Sequence, residues 1–496
     1  MEPSAGALPP IATAGGVLLL ALAGRVPLAA RRRCASTAAV LVLLCGAATG
    51  LLQGWRWQFL PLLAAAVLAA AATRGRLPRA VPLHPAPPPR SRGRATASAA
   101  AGAASAVLAL TGAAAAWAFP VLALPVPSGP AAVGTTVLEW VDEGREEEAT
   151  PAPGDHRAVV VQLWYPAADS QDRGAPYLGR DEREAGIVAA GAAALYGLPA
   201  FVLDDAARGR SGAVAGAAAR AGAERWPVVM FSPGLGGLRT QNTAWAQELA
   251  SSGYVVAALD HPHDSAAVVR DDGSVVRSSI AASGDEAEDD RRAEGWAQVR
   301  AADLRFALTA LEELDRGRRG GAPMLEGRLD VRRAAVTGHS LGGAAALLAA
   351  AADERFAAAV DIDGFPRGGA DDPHPQPVLA LVAGRGTGDA DADRAYAAAL
   401  EEVLHGAAPG YRLTVPGAAH LTFTDAPWYL PPVPSLTGDL GREQAHRVTA
   451  ETSRSFLDAV LRGGGAGDPG EELAALGEFE EFGRWTADGW TRSSGR

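Results

Sequence analysis

The sequence predicts an α/β domain with a mostly parallel sheet, preceded by a bundle of about four transmembrane helices. Two patterns along the 496 residues predict this order. The first 125 residues contain long uncharged, apolar stretches. From about Gly134 onward, apolar β-branched runs alternate with longer Ala-rich stretches, which is typical of strands and helices alternating around a parallel sheet. A chain of this length has room for both units.

Charge separates the two units. The first 125 residues carry eleven Arg and a single acid, Glu2, so the net charge of −11 leaves −21 for the remaining 371 residues. Lys is absent while Ala and Gly are abundant, which indicates genomic codon bias. We therefore predict two different physical environments and no nucleic-acid partner.

Four apolar segments predict membrane spans, near residues 5–24, 34–54, 57–73 and 99–122. A helix needs about 20 residues to cross the hydrocarbon region. In the first segment the basic residues follow the apolar run, whereas a secretory signal carries them before it, so a membrane helix is favoured. A membrane domain is expected over residues 1–125.

The arginines orient these spans. Arg31, Arg32 and Arg33 lie between the first two spans, and six more Arg lie at positions 74–94 between the last two, whereas the middle loop holds only Arg56. The positive-inside rule places both clusters in the cytoplasm. The chain after the fourth span should then lie outside, which predicts a multi-pass cell-membrane protein with an extracytoplasmic C-terminal part.

That C-terminal part is predicted to contain an α/β domain over residues 130–465 and a C-terminal extension over residues 466–496. Its candidate strands are short apolar runs rich in β-branched residues. They cover residues 136–141, 158–164, 227–231, 254–259, 334–337, 357–362, 377–382 and 411–415.

The strand at 334–337 leads directly into residues 338–342, Gly-His-Ser-Leu-Gly, and then into an Ala-rich run that ends at Ala352. A strand, a sharp turn and a helix in this order form the nucleophile elbow of an α/β-hydrolase fold. The glycines relieve crowding in the strained turn, and the serine hydroxyl stands clear of the sheet. Ser340 is therefore predicted to be an acylating nucleophile.

A serine needs a base to take its proton, and in this fold the chain order is serine, acid, histidine. The histidines after Ser340 are His374, His405, His420 and His446. Only His420 directly follows a predicted strand, whereas His374 lies in a Pro-rich loop and the other two lie in helical patterns. His420 is the predicted base.

The acid of the triad has three candidates on these grounds. Asp361 and Asp363 end one predicted strand, and Asp389 follows the next one. All three precede His420 and satisfy the chain order, so the pattern alone leaves them open.

No metal or cofactor is predicted. The run from His261 to Asp264, His-Pro-His-Asp, has no third and fourth ligand spaced to complete a site. Both cysteines, Cys34 and Cys45, lie in the apolar N-terminal part, so no disulfide or cysteine metal site is expected in the α/β domain.

Several motifs together resemble the plasma-type platelet-activating factor acetylhydrolase family over most of residues 130–460. They are residues 231–240 (Phe-Ser-Pro-Gly-Leu-Gly-Gly-Leu-Arg-Thr), Asp260-His261, residues 338–343, Asp363-Gly364, and His420 with Phe423. The chain departs from the family at Pro233, where the family usually has His, and at Leu341, where it often has Phe. The resemblance therefore implies a distant, bacterial branch, with fold and mechanism shared more closely than substrate.

The resemblance also assigns roles. It favours Asp363 as the triad acid, with Asp361 as its nearest rival. It implies that the backbone N–H groups of Leu235 and Leu341 form the oxyanion hole, where two amide donors stabilise the charge that develops in the transition state.

The expected function is hydrolysis of a carboxylic ester through an acyl-Ser340 intermediate, with a short or oxidised acyl chain of a phospholipid as the substrate implied by the resemblance. Two alternatives stay open. One is a membrane-anchored binding protein whose hydrolase fold has lost activity, which Pro233 suggests. The other is an acyltransferase that passes the acyl group to an acceptor other than water.

Overall fold

The computed structural model describes residues 13–17, 37, 42, 44–46, 51, 55–74, 92–281, 283, 285–367, 374–407, 409–463, 469–476, 479, 481–486 and 489–494. The chain divides into two compact units. One contains residues 1–121 and 429–431, and the other contains residues 122–428 and 432–496. The predicted spans near 5–24 and 34–54 lie for the most part outside the described residues.

The N-terminal unit contains two helices, α1 (Phe59–Arg74) and α2 (Arg92–Ala118). They pack closely, as the 2.7 Å hydrogen bond from the Ser105 hydroxyl to the carbonyl of Ala65 shows. In the part of the chain that the structure describes, Ala99–Ala118 is the one segment that is long and apolar enough to cross a membrane. Helix α1 is apolar but has only 16 residues. Helices therefore occur at the third and fourth predicted spans.

The second unit is built on a twisted, mixed sheet. Its strands are β1 (Ala132–Glu146), β2 (His156–Ala167), β3 (Val214–Ala215), β4 (Trp226–Ser232), β5 (Val255–Asp260), β8 (Leu329–His339), β9 (Phe356–Ile362), β10 (Val378–Ala383), β11 (Gly410–Val415), β12 (Glu481–Thr486) and β13 (Gly489–Ser494), and a separate hairpin contains β6 (Ala267–Val269) and β7 (Val275–Arg277). All eight predicted strands are present, with their ends shifted.

The described strands of the large sheet follow the order β13-β12-β11-β10-β9-β8-β4-β5-β2-β1-β3. The strands from β5 through β4 and β8 to β11 are parallel neighbours, and antiparallel pairs extend the sheet at both sides. Because the central strands are parallel, the turns after β4, β8, β9 and β11 all lie at one edge of the sheet. Ligands of open α/β sheets bind at this carboxyl edge.

Helices cover both faces of the sheet. They are α3 (Glu182–Leu195), α4 (Thr243–Ser251), α5 (Glu286–Asp315), α6 (Leu341–Ala352), α7 (Ala390–Gly406), α8 (Arg442–Leu457) and α9 (Pro469–Leu476). One core contains residues of α5, α6 and α7, and a second contains residues of α4, α8 and α9. Strand β8 serves both, since Ala334 and Val336 belong to the first core and Ala335 to the second. This arrangement is the predicted α/β-hydrolase fold.

Candidate active site

Ser340 lies in the sharp turn between β8 and α6, with φ of 57° and ψ of −127°. A non-glycine residue with positive φ is strained, and the surrounding structure has to hold it there. The Ser340 amide donates to the carbonyl of Ile362 at 2.9 Å, which ties the turn to β9. A Cβ atom on Gly342 would lie 2.0 Å from the carbonyl oxygen of Ser232, so this position requires glycine.

His420 follows β11 directly and opens a short helical turn. Its Nδ1 lies 2.7 Å from Oδ2 of Asp363, which follows β9. The other carboxylate oxygen of Asp363 accepts a 2.7 Å hydrogen bond from the amide of Ala383. Both oxygens of this carboxylate are therefore bonded, while the His420 side chain is 48% exposed.

The two rival aspartates have other partners. Asp361 is fully buried, and one of its oxygens accepts from the amide of Gly364 at 2.9 Å. Burial and the neighbouring charge of Asp363 raise the pKa of Asp361 well above its ordinary value. Asp389 caps the N-terminus of α7. Among the described residues, Asp363 is the carboxylate that bonds the His420 ring.

These side chains line one cavity of about 790 Å³. Ser340, Asp363 and His420 lie along it together with Phe365 and Tyr396. The described contacts include no hydrogen bond between the Ser340 hydroxyl and His420. Such bonds commonly tighten only when substrate is bound.

Two backbone amides close in sequence to these residues have no hydrogen-bond acceptor in the described part of the chain. Leu341 begins α6, where the first amides of a helix have no acceptor within it. In the loop after β4, the amide of Gly234 donates to Oε1 of Gln241 at 3.1 Å, and that of Gly236 donates to Oδ1 of Asp264 at 3.0 Å. The amide between them, that of Leu235, donates no hydrogen bond within the described ranges, and neither does that of Leu341.

Arg300 of α5 bonds the loop that contains Leu235. It is fully buried and donates to the carbonyls of Pro233 and Gly234, the second at 3.0 Å. Its Nη2 also bonds Oδ1 of Asp264 at 2.6 Å. Burial alone would raise the pKa of Asp264, but the charge of Arg300 and its hydrogen bonds hold it below the ordinary value. A buried ion pair thus fixes the loop.

A second Ser-His-Asp arrangement lies behind the loop. The hydroxyl of Ser232 is 2.9 Å from Nε2 of His261, and Nδ1 of His261 is 2.8 Å from Oδ2 of Asp303. All three residues are fully buried, and Asp303 is also paired with Arg157 at 2.7 Å. Burial lowers the pKa of His261. Because the Ser232 side chain is fully buried and bonded to His261, the group supports the end of β4.

Sequence reasoning did not single out Arg300 or Gln241, and it considered Asp264 only as part of a metal site that it rejected. One signal for Arg300 was present in the chain. It lies between Ala297 and Leu304, two buried apolar residues at helical spacing on α5. A charge on such a face requires a partner. The partner itself, Asp264, could not be identified without the fold.

A family model described as platelet-activating factor acetylhydrolase, isoform II, matches residues 118–463. The platelet-activating factor acetylhydrolase of Cavia porcellus is 27% identical over 48% of this chain and 58% of its own length. A probable 1-alkyl-2-acetylglycerophosphocholine esterase of Arthroderma benhamiae is 29% identical over 40% of this chain and 49% of its own length. The chain therefore spans about half the length of the curated relatives it matches.

Among solved structures, the ferulic acid esterase from Streptomyces cinnamoneus superposes with a TM-score of 0.56 at 31% identity. The match covers 69% of this chain and 94% of the esterase. An esterase thus shares nearly its whole fold with the second unit.

Proposed function

This chain belongs to the platelet-activating factor acetylhydrolase family, and we propose from that premise that it hydrolyses carboxylic esters through an acyl-Ser340 intermediate. The observation that carries the proposal is the hydrogen bond between His420 and Asp363 in the cavity that Ser340 lines. A serine in a strained turn beside a carboxylate-bonded histidine is the arrangement that activates a weak nucleophile.

Each residue has one role in the proposed reaction. His420 takes the hydroxyl proton through Nε2 as Ser340 attacks the ester carbonyl, and Asp363 holds the Nδ1 proton and stabilises the imidazolium. The amides of Leu235 and Leu341 bind the developing oxyanion. His420 then returns the proton to the leaving alcohol, and a water molecule activated in the same way cleaves the acyl-enzyme.

The proposed substrate is a phospholipid-like ester with a short or oxidised acyl chain. Two observations support this choice. The curated relatives are named platelet-activating factor acetylhydrolase and probable 1-alkyl-2-acetylglycerophosphocholine esterase. The cavity of about 790 Å³ lies within the range of about 300 to 1,000 Å³ that is usual for small-molecule sites.

The proposal includes a multi-pass membrane domain of four spans with the catalytic unit outside the cytoplasm. The apolar segment Ala99–Ala118 and the Arg clusters in the N-terminal loops support it. An alkaline phosphatase reporter fused after residue 130 should be active, because alkaline phosphatase folds to its active form only outside the cytoplasm. An inactive reporter together with a fluorescent cytoplasmic fusion at the same site would reverse the proposed orientation.

Ester hydrolysis is tested with the variant Ser340→Ala. It should lose both hydrolysis of acetyl esters and labelling by a fluorophosphonate probe while its melting temperature stays unchanged. Ser435→Ala is the matched control, because Ser435 lines the same cavity. A series of esters of graded chain length then measures the acyl preference. If the wild-type protein neither labels nor hydrolyses any ester of the series, it is a binding protein and the proposed activity is wrong.

A further inference from the structure

A chain of three hydrogen bonds connects the parts of the site that lie far apart in the sequence. The Gly234 amide donates to Oε1 of Gln241 at 3.1 Å. Nε2 of Gln241 lies 2.9 Å from Nδ1 of His339, and Nε2 of His339 lies 2.9 Å from the backbone carbonyl oxygen of His420. The chain thus runs from the loop before Leu235, past the residue before Ser340, to the backbone of the proposed base.

Only one assignment of protons satisfies this chain. The carbonyl of His420 can only accept, so Nε2 of His339 has to carry the proton. Nδ1 of His339 then accepts a hydrogen bond from the side-chain NH2 group of Gln241. The side-chain oxygen of Gln241 accepts from the backbone N–H of Gly234, which can only donate. Every donor meets an acceptor when His339 is neutral and has this single tautomer.

The surroundings of His339 favour this neutral form. Its side chain is almost fully buried, and burial together with the neighbouring His420 places its pKa well below the ordinary value. Its ring also packs against that of His420, with centroids 4.5 Å apart and planes inclined by 39°. His339 therefore contacts His420 twice, through the backbone carbonyl and through the ring.

The two ends of this chain of hydrogen bonds adjoin two groups that the proposed reaction requires in a defined position, the oxyanion donor and the base. One end holds the residue that precedes the Leu235 amide, and the other holds the backbone from which the His420 ring reaches Asp363 in the cavity that Ser340 lines. Displacement of reacting groups by about 1 Å can reduce turnover about 100-fold. Residues that hold these two ends in place are therefore expected to raise kcat.

We propose that Gln241 and His339 are positioning residues that hold the oxyanion loop and the His420 loop in a common geometry around Ser340. The inference rests on the proposed ester hydrolysis and adds to it two residues that do not contact the reacting atoms. Removal of either one should therefore slow the chemical step without weakening substrate binding.

The test uses the full chain and four variants. Gln241→Leu and His339→Leu remove the hydrogen bonds at nearly constant volume. His339→Gln places an amide N–H near the position of Nε2 and so keeps the bond to the His420 carbonyl. Gln376→Leu is the control, because Gln376 is a glutamine that is more buried than the half-buried Gln241 and bonds the Ala350 carbonyl at the other end of α6 at 2.6 Å.

The first two variants should lower kcat about 10- to 100-fold with KM within about twofold of the wild type, and should slow fluorophosphonate labelling in parallel. His339→Gln should recover most of the kcat that His339→Leu loses. Gln376→Leu should match the wild type in kcat while it lowers the melting temperature at least as much as Gln241→Leu does.

Two results would overturn the proposal. One is a folded Gln241→Leu protein with wild-type kcat, and the other is a His339→Gln protein as slow as His339→Leu. Should His339→Leu not fold, the comparison of Gln241→Leu, His339→Gln and the control still decides. A wild-type protein that neither hydrolyses esters nor labels at Ser340 would refute the proposed function instead, so the two failures are distinct.

Discussion

Two aspartates at the end of β9, two positions apart, have opposite surroundings. Asp363 has a φ of 53° and bonds both the His420 ring and the Ala383 amide. Asp361 points into the protein and has one oxygen without a hydrogen-bond partner in the described part of the chain. The positive φ of Asp363 turns its side chain toward the cavity, and this turn separates the two residues.

The first prediction distinguishes these residues by activity. Asp363→Asn should reduce kcat about 10,000-fold, because an amide opposite Nδ1 of His420 favours the wrong tautomer of the ring. Asp361→Asn should keep nearly full activity, since the raised pKa of Asp361 favours its neutral form and the oxygen of the new amide can still accept from Gly364. Steady-state kinetics with a short acyl ester measure both. Loss of activity in Asp361→Asn with wild-type activity in Asp363→Asn would exchange their roles.

The second prediction follows from the raised pKa of Asp361. In the unfolded chain this carboxyl ionises at about pH 4, whereas the folded protein keeps the proton to a higher pH. The folded state therefore holds an extra proton in this window, and the contribution of Asp361 to the unfolding free energy falls as the pH rises. Asp361→Asn lacks this loss.

Urea unfolding at several pH values between about 5 and 7 measures it. The stability of the variant relative to the wild type should increase with pH, by up to about 1.4 kcal/mol per pH unit. The difference between the two proteins isolates Asp361 from the other buried groups that titrate. A difference that does not change with pH would show that Asp361 is ionised in the folded protein.

At this scale the sequence predicts chemistry where local pattern and chain order suffice. Ser340 is recognised by its flanking glycines and His420 by its place after a late strand. Asp363 could be preferred only through the family resemblance, because a choice between residues two apart depends on one backbone dihedral angle. Gln241 has no local pattern, since it bonds His339, which lies 98 residues further along the chain, and His339 in turn bonds the carbonyl of His420, a further 81 residues away.

Among the elements, α5 reaches the site through one buried charge. Arg300 bonds two carbonyls of the loop after β4 and the carboxylate of Asp264, which in turn accepts from the amide of Gly236. The helix thus fixes both sides of Leu235 and leaves its amide free. A loop that is rich in glycine would otherwise lose conformational entropy when the oxyanion forms.

The third prediction concerns this contact. Arg300→Met leaves the buried Asp264 without its cation and should destabilise the protein by about 3 to 5 kcal/mol. It should also lower kcat by about 100-fold, as the loss of an oxyanion donor does. Arg316→Met is the control, because Arg316 lies at the exposed end of the same helix and pairs with Glu312 at 3.3 Å.

The control should change stability by no more than about 1 kcal/mol. Chemical denaturation and steady-state kinetics provide both values. A variant Arg300→Met with unchanged kcat would show that the loop keeps its shape without the ion pair.

The C-terminal strands contribute to the core. Phe482 of β12 is 7% exposed and stacks on Tyr411 of β11, with ring centroids 6.3 Å apart. The sequence predicted residues 466–496 as an extension and found no strands there, because the two strands are short and their apolar residues are few. Strands β2, β4, β5 and β10 were predictable since they have apolar runs with β-branched residues that are buried on both faces.

The fourth prediction tests that contribution. Phe482→Ala should cost about 3 to 5 kcal/mol of unfolding free energy, as is usual for a buried Phe. Thr491→Ala on the exposed outer strand should cost less than about 0.5 kcal/mol. Thermal and urea unfolding of the pair measure the difference. Equal stabilities would mean that the strands only cover the edge of the sheet.

For the whole molecule, charge and composition predicted the division into two units. The N-terminal part has long apolar stretches and arginines with a single acidic residue, whereas the remainder of the chain has a large excess of acidic residues. The number of spans was harder to predict, because runs of Ala and Gly are apolar enough for a membrane helix and equally suitable for a packed helix such as α6.

The last prediction is that residues 122–496 fold and catalyse without the N-terminal unit. Both cores of the sheet and every residue proposed for catalysis lie in this part. It also carries the whole excess of acidic residues, and a net charge far from zero favours solubility. Hydrolysis of a soluble acetyl ester by the fragment should keep kcat/KM within about threefold of the full chain.

Hydrolysis of the same acyl group in phospholipid vesicles should fall much further, because the fragment lacks the proposed membrane spans that would hold it at the bilayer. The ratio of the two activities therefore measures what membrane anchoring contributes, independently of the catalytic residues. A fragment that is soluble but inactive on both substrates would mean that the first 121 residues complete the active site. If the fragment retains full activity on both substrates, anchoring has no part in lipid hydrolysis.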